Sequence, residues 1–352
     1  MNIGLIIKRK LGRALARWPS IYRTYRHLSQ HSMGNGHATY PPRHIDIEQY
    51  LDHYAIDYPA LSNPFSYYTE LIDGLLDTGV ELVPLYELLS AETTKRRVVG
   101  LRHDIDANPG TALRMARYLA RVGTCGSFYL LHTSSYYGIY DDGELVRNPE
   151  MSELVLSFIV TGCELGLHTD PYWVSKVYKM DGAKAVDTEL RWLRSQGAVI
   201  RGTVGHNSAP MYECENSEIF RERVMWDRVV KIKGKVLPLG VLSEKKLGLQ
   251  YEGNFAVQKK DFNAKDAAMF CSNLKDADIR SEPWMRKYLV DNPLYDREID
   301  HQFWLIGKDK WVAGGRDLWE WEVGLDRMLE LVRGLPEDTR SVVVIHPDYF
   351  TA

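Results

Sequence analysis

From residue 97 to residue 206, strand-length apolar runs alternate with helix-length amphipathic runs, and a glycine closes each helix. Residues 97–103 read as a buried strand. Asn108 followed by Pro109 is a helix start, an N-cap with proline at the first helical position. The helix runs over 111–122 and Gly123 stops it. The pattern repeats: strand 127–131, helix 151–161 stopped by Gly162, strand 164–168, helix 184–195 stopped by Gly197, and strand 198–204 running towards His206. Such punctuation predicts right-handed parallel βαβ units. In an α/β barrel the C-terminal ends of the strands converge on one face, where functional sites are built. Here those ends carry His103, Asp104 and Asp106, then His168, then His206.

The flanking regions are less regular. Residues 46–92 read as mostly helical, with Phe65, Tyr68, Leu71, Ile72, Leu75 and Leu76 at helical spacing and Gly79 as a stop. Residues 229–236 suggest a strand pair. Residues 243–300 are charged and weakly periodic, which predicts an insertion near the cleft, within a less regular region around 209–300. Residues 301–307 read as a strand, 319–335 as an amphipathic helix, and 341–347 as a last buried strand that delivers His346.

A chain of 352 residues suffices for one barrel-sized domain. The formal net charge of -3 gives no general reason to expect a nucleic-acid partner. Cys125, Cys163, Cys214 and Cys271 contain no C-x-x-C pair, so they read as free thiols of a reducing compartment. No run approaches the roughly 18 apolar residues of a membrane span. The apolar run at 3–7 is too short for a signal-peptide core and Lys8-Arg9-Lys10 ends it, so a cytoplasmic protein is expected. The first 26 residues hold seven Lys or Arg and no acid. Ile7, Leu11, Ala14, Leu15 and Trp18 share one helical face, and such a helix can lie on the anionic inner face of a membrane or pack on its own domain or a subunit partner. Residues 27–45, rich in His, Ser, Gly and Pro, read as a linker. The expected organisation is therefore a basic amphipathic helix and linker over 1–45, then an α/β barrel over 46–352.

The residues at the strand ends suit a hydrolytic metal site. Divalent ions such as zinc take imidazole nitrogen and carboxylate oxygen, and a catalytic site keeps a position open for water. Asp106, His168 and His206 are the candidate ligands. Asp104 is placed to take a proton from water, and His346 is the candidate acid for the leaving group. His103 reads as a support for this pair of carboxylates.

These residues resemble the polysaccharide deacetylase superfamily, the NodB-homology group similar to carbohydrate esterase family 4, in a divergent branch with an H-D-x-D first motif. The resemblance rests on Leu101-Arg102-His103-Asp104-Ile105-Asp106 with Pro109 and Ala112, on Gly162-Cys163-Glu164-Leu165-Gly166-Leu167-His168, on Gly205-His206-Asn207-Ser208, and on Val344-Ile345-His346-Pro347. It implies an irregular (β/α)7 barrel with a divalent metal ion, Zn2+ first among the choices. Asp104 is then the base, Asp106 a ligand and His346 the catalytic histidine. Ile105 between the two aspartates departs from the family's T-F-D-D motif and leaves an exchange of their roles open. The family's second histidine, four residues after the first, is replaced by Tyr172, so His206 supplies the third ligand, with Asp170 as the alternative. Arg102 and Arg201 are candidates for orienting the base or binding substrate. The implied activity is metal-dependent removal of an N-acetyl or other acyl group from a sugar, nucleotide-linked or lipid-linked, in bacterial surface-polysaccharide assembly such as O-antigen or capsule. A deformylase or non-sugar amidase on the same scaffold, or a catalytically degenerate glycan-binding barrel, are the alternatives.

Overall fold

A computed structural model describes residues 46–55, 61–90, 96–141, 143–206, 216–220, 231–232, 235–236, 240–253, 299–315 and 318–351. The basic helix and linker expected over 1–45, with their membrane contact, lie outside these residues, as do Cys214, Cys271 and most of the insertion expected around 209–300. Among the described residues no helix is long and apolar enough to cross a membrane.

The strands are β1 (Glu81–Val83), β2 (Arg97–Ile105), β3 (Ser127–Leu131), β4 (Gly138–Asp141), β5 (Glu144–Arg147), β6 (Glu164–Thr169), β7 (Gly202–Gly205), β8 (Lys231–Ile232), β9 (Lys235–Val236), β10 (Tyr251–Glu252), β11 (His301–Gly307), β12 (Lys310–Gly315), β13 (Trp319–Val323) and β14 (Thr339–Ile345). The main sheet has the order β10-β7-β6-β3-β2-β14-β11-β12-β13. Pairing is parallel from β10 to β11, and β12 and β13 extend it as an antiparallel meander. β1 pairs with the first half of β2 and β3 with the second half. The path has two ends, β10 and β13, so the described strands form a mixed, mostly parallel sheet with no closed barrel among them.

Strand alternation sends neighbouring residues to opposite faces. On β2, Val99, Leu101 and Ile105 join the larger core. That core is completed by helices Phe65–Asp77, Pro109–Arg121, Met151–Thr161 and Gly182–Ser195. Helix Pro109–Arg121 offers Ala112, Leu113, Met115, Ala116 and Leu119 to it, the spacing of one helical stripe. Val98 belongs to a second core with Leu85, Leu88, Tyr129, Val204, Tyr251, Val342 and Val344. Apart from Leu85 and Leu88 these come from β2, β3, β7, β10 and β14, so the sheet curls around them. Helix Leu85–Ser90 fills the floor of that curl, and the Tyr129 and Tyr251 hydroxyls meet at 2.5 Å inside it. Two glycines make the room. A Cβ on Gly166 would lie 2.6 Å from the Tyr129 ring and 2.9 Å from the Gly202 carbonyl, and Gly202 lies against the Tyr251 ring in the same way.

Two regions differ from the sequence expectation. The helix expected over 319–335 is β13 followed by the shorter helix Leu325–Arg333. Trp319-Glu320-Trp321-Glu322-Val323 alternates with period two, and Gly324, extended at φ −76° and ψ 172°, separates strand from helix. Tyr251–Glu252, inside the expected insertion, is a strand of the main sheet paired with β7. Two residues are too few to show a period.

Gly166→Ala is expected to destabilise the protein by about 1–3 kcal/mol through overpacking against Tyr129. Denaturant unfolding checks this: the midpoint should fall with an unchanged slope, and an unchanged midpoint would mean the curl has room to spare.

Candidate metal centre

Register places the strand ends level with one another. Asp104 pairs with Tyr129, which pairs with Gly166. Two residues further on, Asp106 therefore lies level with Leu131 and its partner His168. His168 pairs with Val204, and His206 follows two residues later. The result is a triad: His168 Nε2 lies 3.3 Å from Asp106 Oδ1, and His206 Nε2 lies 3.4 Å from Asp106 Oδ2. Ligand atoms of Asp106, His168 and His206 all fall within 4.8 Å of one another, so the three can hold a metal ion.

The hydrogen bonds around the triad favour that use. His168 Nδ1 lies 2.9 Å from the Val204 carbonyl, which only accepts, so Nδ1 carries the proton and Nε2 presents its lone pair. His206 Nδ1 donates to Asp170 Oδ2 at 3.0 Å, which leaves Nε2 as the atom that faces Asp106 and would bind an ion in place of its proton. Carboxylate or carbonyl support behind a ligating imidazole is the usual arrangement at metal sites. Asp106 Oδ1 is a buried oxygen with no hydrogen bond among the described residues. A buried carboxylate oxygen without a donor is costly unless a cation satisfies it.

Asp170 is differently employed. Its Oδ1 accepts from Asn216 Nδ2 at 3.0 Å, and its Oδ2 from Thr133 Oγ1 at 3.2 Å as well as from His206. It stands behind His206. Asn216 also donates to the His206 carbonyl and accepts from the Tyr172 N–H at 3.1 Å. Tyr172 is buried.

Asp104 sits on the same face as Asp106, gripped by Arg102: Nε donates to both carboxylate oxygens, at 2.8 and 3.1 Å, and Nη2 to Oδ2 at 2.5 Å. Arg102 Nη1 is anchored on the Gly253 carbonyl at 2.9 Å. Asp104 Oδ2 also lies 3.8 Å from both His168 Nε2 and His346 Nε2. Burial would raise the Asp104 pKa, but the Arg102 guanidinium and then His168 outweigh it and hold the carboxyl below its ordinary value. His346, its side chain 25 % exposed, opens this side of the cluster to solvent.

Two expected site residues lie elsewhere. His103 faces away from Asp104 and Asp106, since its position on β2 has the opposite parity. Its ring stacks on Phe128 at 4.1 Å, Nδ1 meets the Ser127 carbonyl at 3.1 Å and Nε2 the Tyr68 hydroxyl at 3.0 Å. Burial pulls its pKa down to about 4, so it is a neutral core histidine. Arg201 precedes β7 and lies at the opposite end of that strand from His206, with its guanidinium 4.2 Å over the Tyr86 ring. The residues that the sequence reading missed are His132, Thr133, Ser134 and Asn216. The first three follow β3 directly, so the rule that led to His168 and His206 also pointed to that strand end.

Burial pulls the His206 pKa down, but the charge of Asp106 and hydrogen bonds to Asp106 and Asp170 outweigh it and lift it to about 9 in the metal-free protein. A raised histidine pKa contributes stability that is full below about 6.5, its unfolded value, and is lost as pH rises through about 9. Metal-free protein should therefore lose stability across that window, by on the order of 3 kcal/mol at most. His206→Gln should flatten that part of the melting-temperature profile, and superimposable profiles would remove the basis for the shift.

No family model, curated protein or solved structure matches the chain.

Proposed function

We propose that the chain is a metal-dependent hydrolase that removes an N-acetyl or related acyl group from a sugar. The observation that carries this reading is the company kept by the triad. A three-ligand carboxylate–imidazole set lies beside a second, ionised carboxylate, Asp104, whose Oδ2 lies between a ligand histidine and His346. A purely structural ion site needs no such pair.

The donor set of one carboxylate and two imidazoles suits Zn2+ and leaves coordination positions free. A bound divalent ion would supply Lewis acidity, acidifying water and polarising an acyl carbonyl. The protein's own groups have separable tasks. Asp106, His168 and His206 hold the ion. Asp104, kept ionised and oriented by Arg102, is the proton acceptor. His346 is the donor to the departing amine, reached from solvent. The seven parallel strands from β10 to β11 support the finer fold reading, an irregular (β/α)7 barrel of the polysaccharide deacetylase kind, as does the curl that brings β10 and β14 around one core. The resemblance of the strand-end motifs adds the substrate class: an acylated sugar, nucleotide-linked or lipid-linked, at the cytoplasmic side of surface-polysaccharide assembly.

The test is a panel of N- and O-acylated sugars incubated with zinc-loaded protein and scored for acetate and formate. Acetate release that is lost in Asp106→Ala and His168→Ala supports the reading. Asp104→Asn and His346→Ala should keep the metal and lose about 10²–10⁴-fold in turnover, the usual share of a general base or acid. Formate release would shift the assignment to a deformylase. Glycan binding without turnover would make the chain a binding barrel.

A further inference from the structure

The turn after β3 touches both halves of the site. Its three consecutive side chains are His132, Thr133 and Ser134, and each reaches a different anchor. His132 Nε2 accepts the Asp170 backbone N–H at 2.8 Å. Thr133 Oγ1 donates to Asp170 Oδ2 at 3.2 Å, the same oxygen that receives His206 Nδ1–H. Ser134 Oγ donates to the Asp106 carbonyl at 2.8 Å.

The turn itself is held rigidly. The Ser134 N–H closes on the Leu131 carbonyl at 3.0 Å. The Leu131 N–H donates to the Tyr136 hydroxyl, which in turn donates to the Ile105 carbonyl, each at 2.8 Å. His132 is fully buried. Because its Nε2 accepts a backbone N–H, the ring proton lies on Nδ1 and points to the Tyr140 hydroxyl at 2.6 Å. Tyr140 is backed by the ring of Tyr178 at 4.9 Å. One short turn thus fixes the backbone that carries Asp106 and the carboxylate that aims His206, although these lie on different strands.

We propose that His132, Thr133 and Ser134 are positioning residues that set the spacing of the metal ligands, with Thr133 and His132 aiming His206 through Asp170 and Ser134 seating Asp106. This rests on the metal-centre reading above. Groups behind metal ligands typically govern affinity by about 10–100-fold. The geometry predicts such an effect for residues that would never touch the ion.

The test measures Zn2+ affinity by chelator competition and the visible spectrum of the Co2+ form, alongside the melting temperature of the metal-free protein. Thr133→Val keeps the shape and removes the donor. It should weaken Zn2+ binding by about 10–100-fold and alter the Co2+ spectrum, with little change in the metal-free melting temperature. Thr133→Ser should restore both. His132→Leu should weaken binding similarly, and His132→Gln, which keeps an acceptor for the Asp170 N–H, should recover most of it. If wild-type protein binds the ion and Thr133→Val binds it equally well, the positioning role is overturned and the metal centre stands. A loss in Thr133→Val that Thr133→Ser does not rescue, with a matching fall in melting temperature, also overturns the role. If wild-type protein binds neither ion, the metal centre falls and this inference with it.

Discussion

Parallel register across β2, β3, β6 and β7 is the constraint on which the site depends. Each of these strands contributes its last residues to one level, and each hydrogen-bonded pair passes that level to the next strand. A slip of one residue in β6 would turn His168 to the helix-covered face and bring Leu167 inward, because side-chain parity has no intermediate. The register is protected by packing on both faces. The larger core claims one parity of β2 and the Tyr129–Tyr251 core the other. Gly166 and Gly202 reinforce it, since each occupies a place where a neighbouring tyrosine ring leaves no room for a side chain.

Electrostatics then divide two aspartates that differ by two positions in the chain. Both stand on one face, Asp104 buried and Asp106 partly exposed, and neighbours hold each carboxyl below its ordinary value against burial, Arg102 first for Asp104 and His206 first for Asp106. Asp104 spends its oxygens on a guanidinium, whereas Asp106 keeps one buried oxygen without a donor. A carboxylate already bound by Arg102 is a poor ligand and a well-oriented proton acceptor. One with a free buried oxygen that faces the Nε2 atoms of two imidazoles is the reverse. The partners set the two aspartates apart: among the described residues Asp106, and not Asp104, stands in the triad that could hold an ion. Asp170 is separated from His206 on the same grounds: its oxygens are occupied by Asn216, Thr133 and His206 itself.

Much of the site was legible in the chain because strand ends in a parallel sheet converge. Gly162, Gly197 and the apolar runs after them located His168 and His206 at such ends. His103 is adjacent to Asp104 in sequence but not in space. The alternation of Val99, Leu101 and His103 against Gly100, Arg102 and Asp104 already assigned it to the other face. Arg201 was legible only as a charge near a strand, and the strand's direction puts it at the far end from His206. The residues of β13 suggest helix because a run rich in Trp and Glu carries no strong local preference until its period is counted.

The sequence by itself determined the βαβ alternation, the strand ends that carry His168 and His206, and the pair Asp104 and Asp106 on one face. Those are properties of local periodicity and punctuation, which need no long-range information. Only the tertiary structure decided which nitrogen of His168 and His206 is free, which aspartate Arg102 neutralises, and that the turn at His132–Thr133–Ser134 reaches both sides of the cluster. Apart from the grip of Arg102 on Asp104, two positions away and anchored from Gly253, those depend on hydrogen bonds between residues 28 to 46 positions apart, as in Ser134 to Asp106 and Asn216 to Asp170. Such bonds come from the curl of the sheet, and no local pattern encodes them.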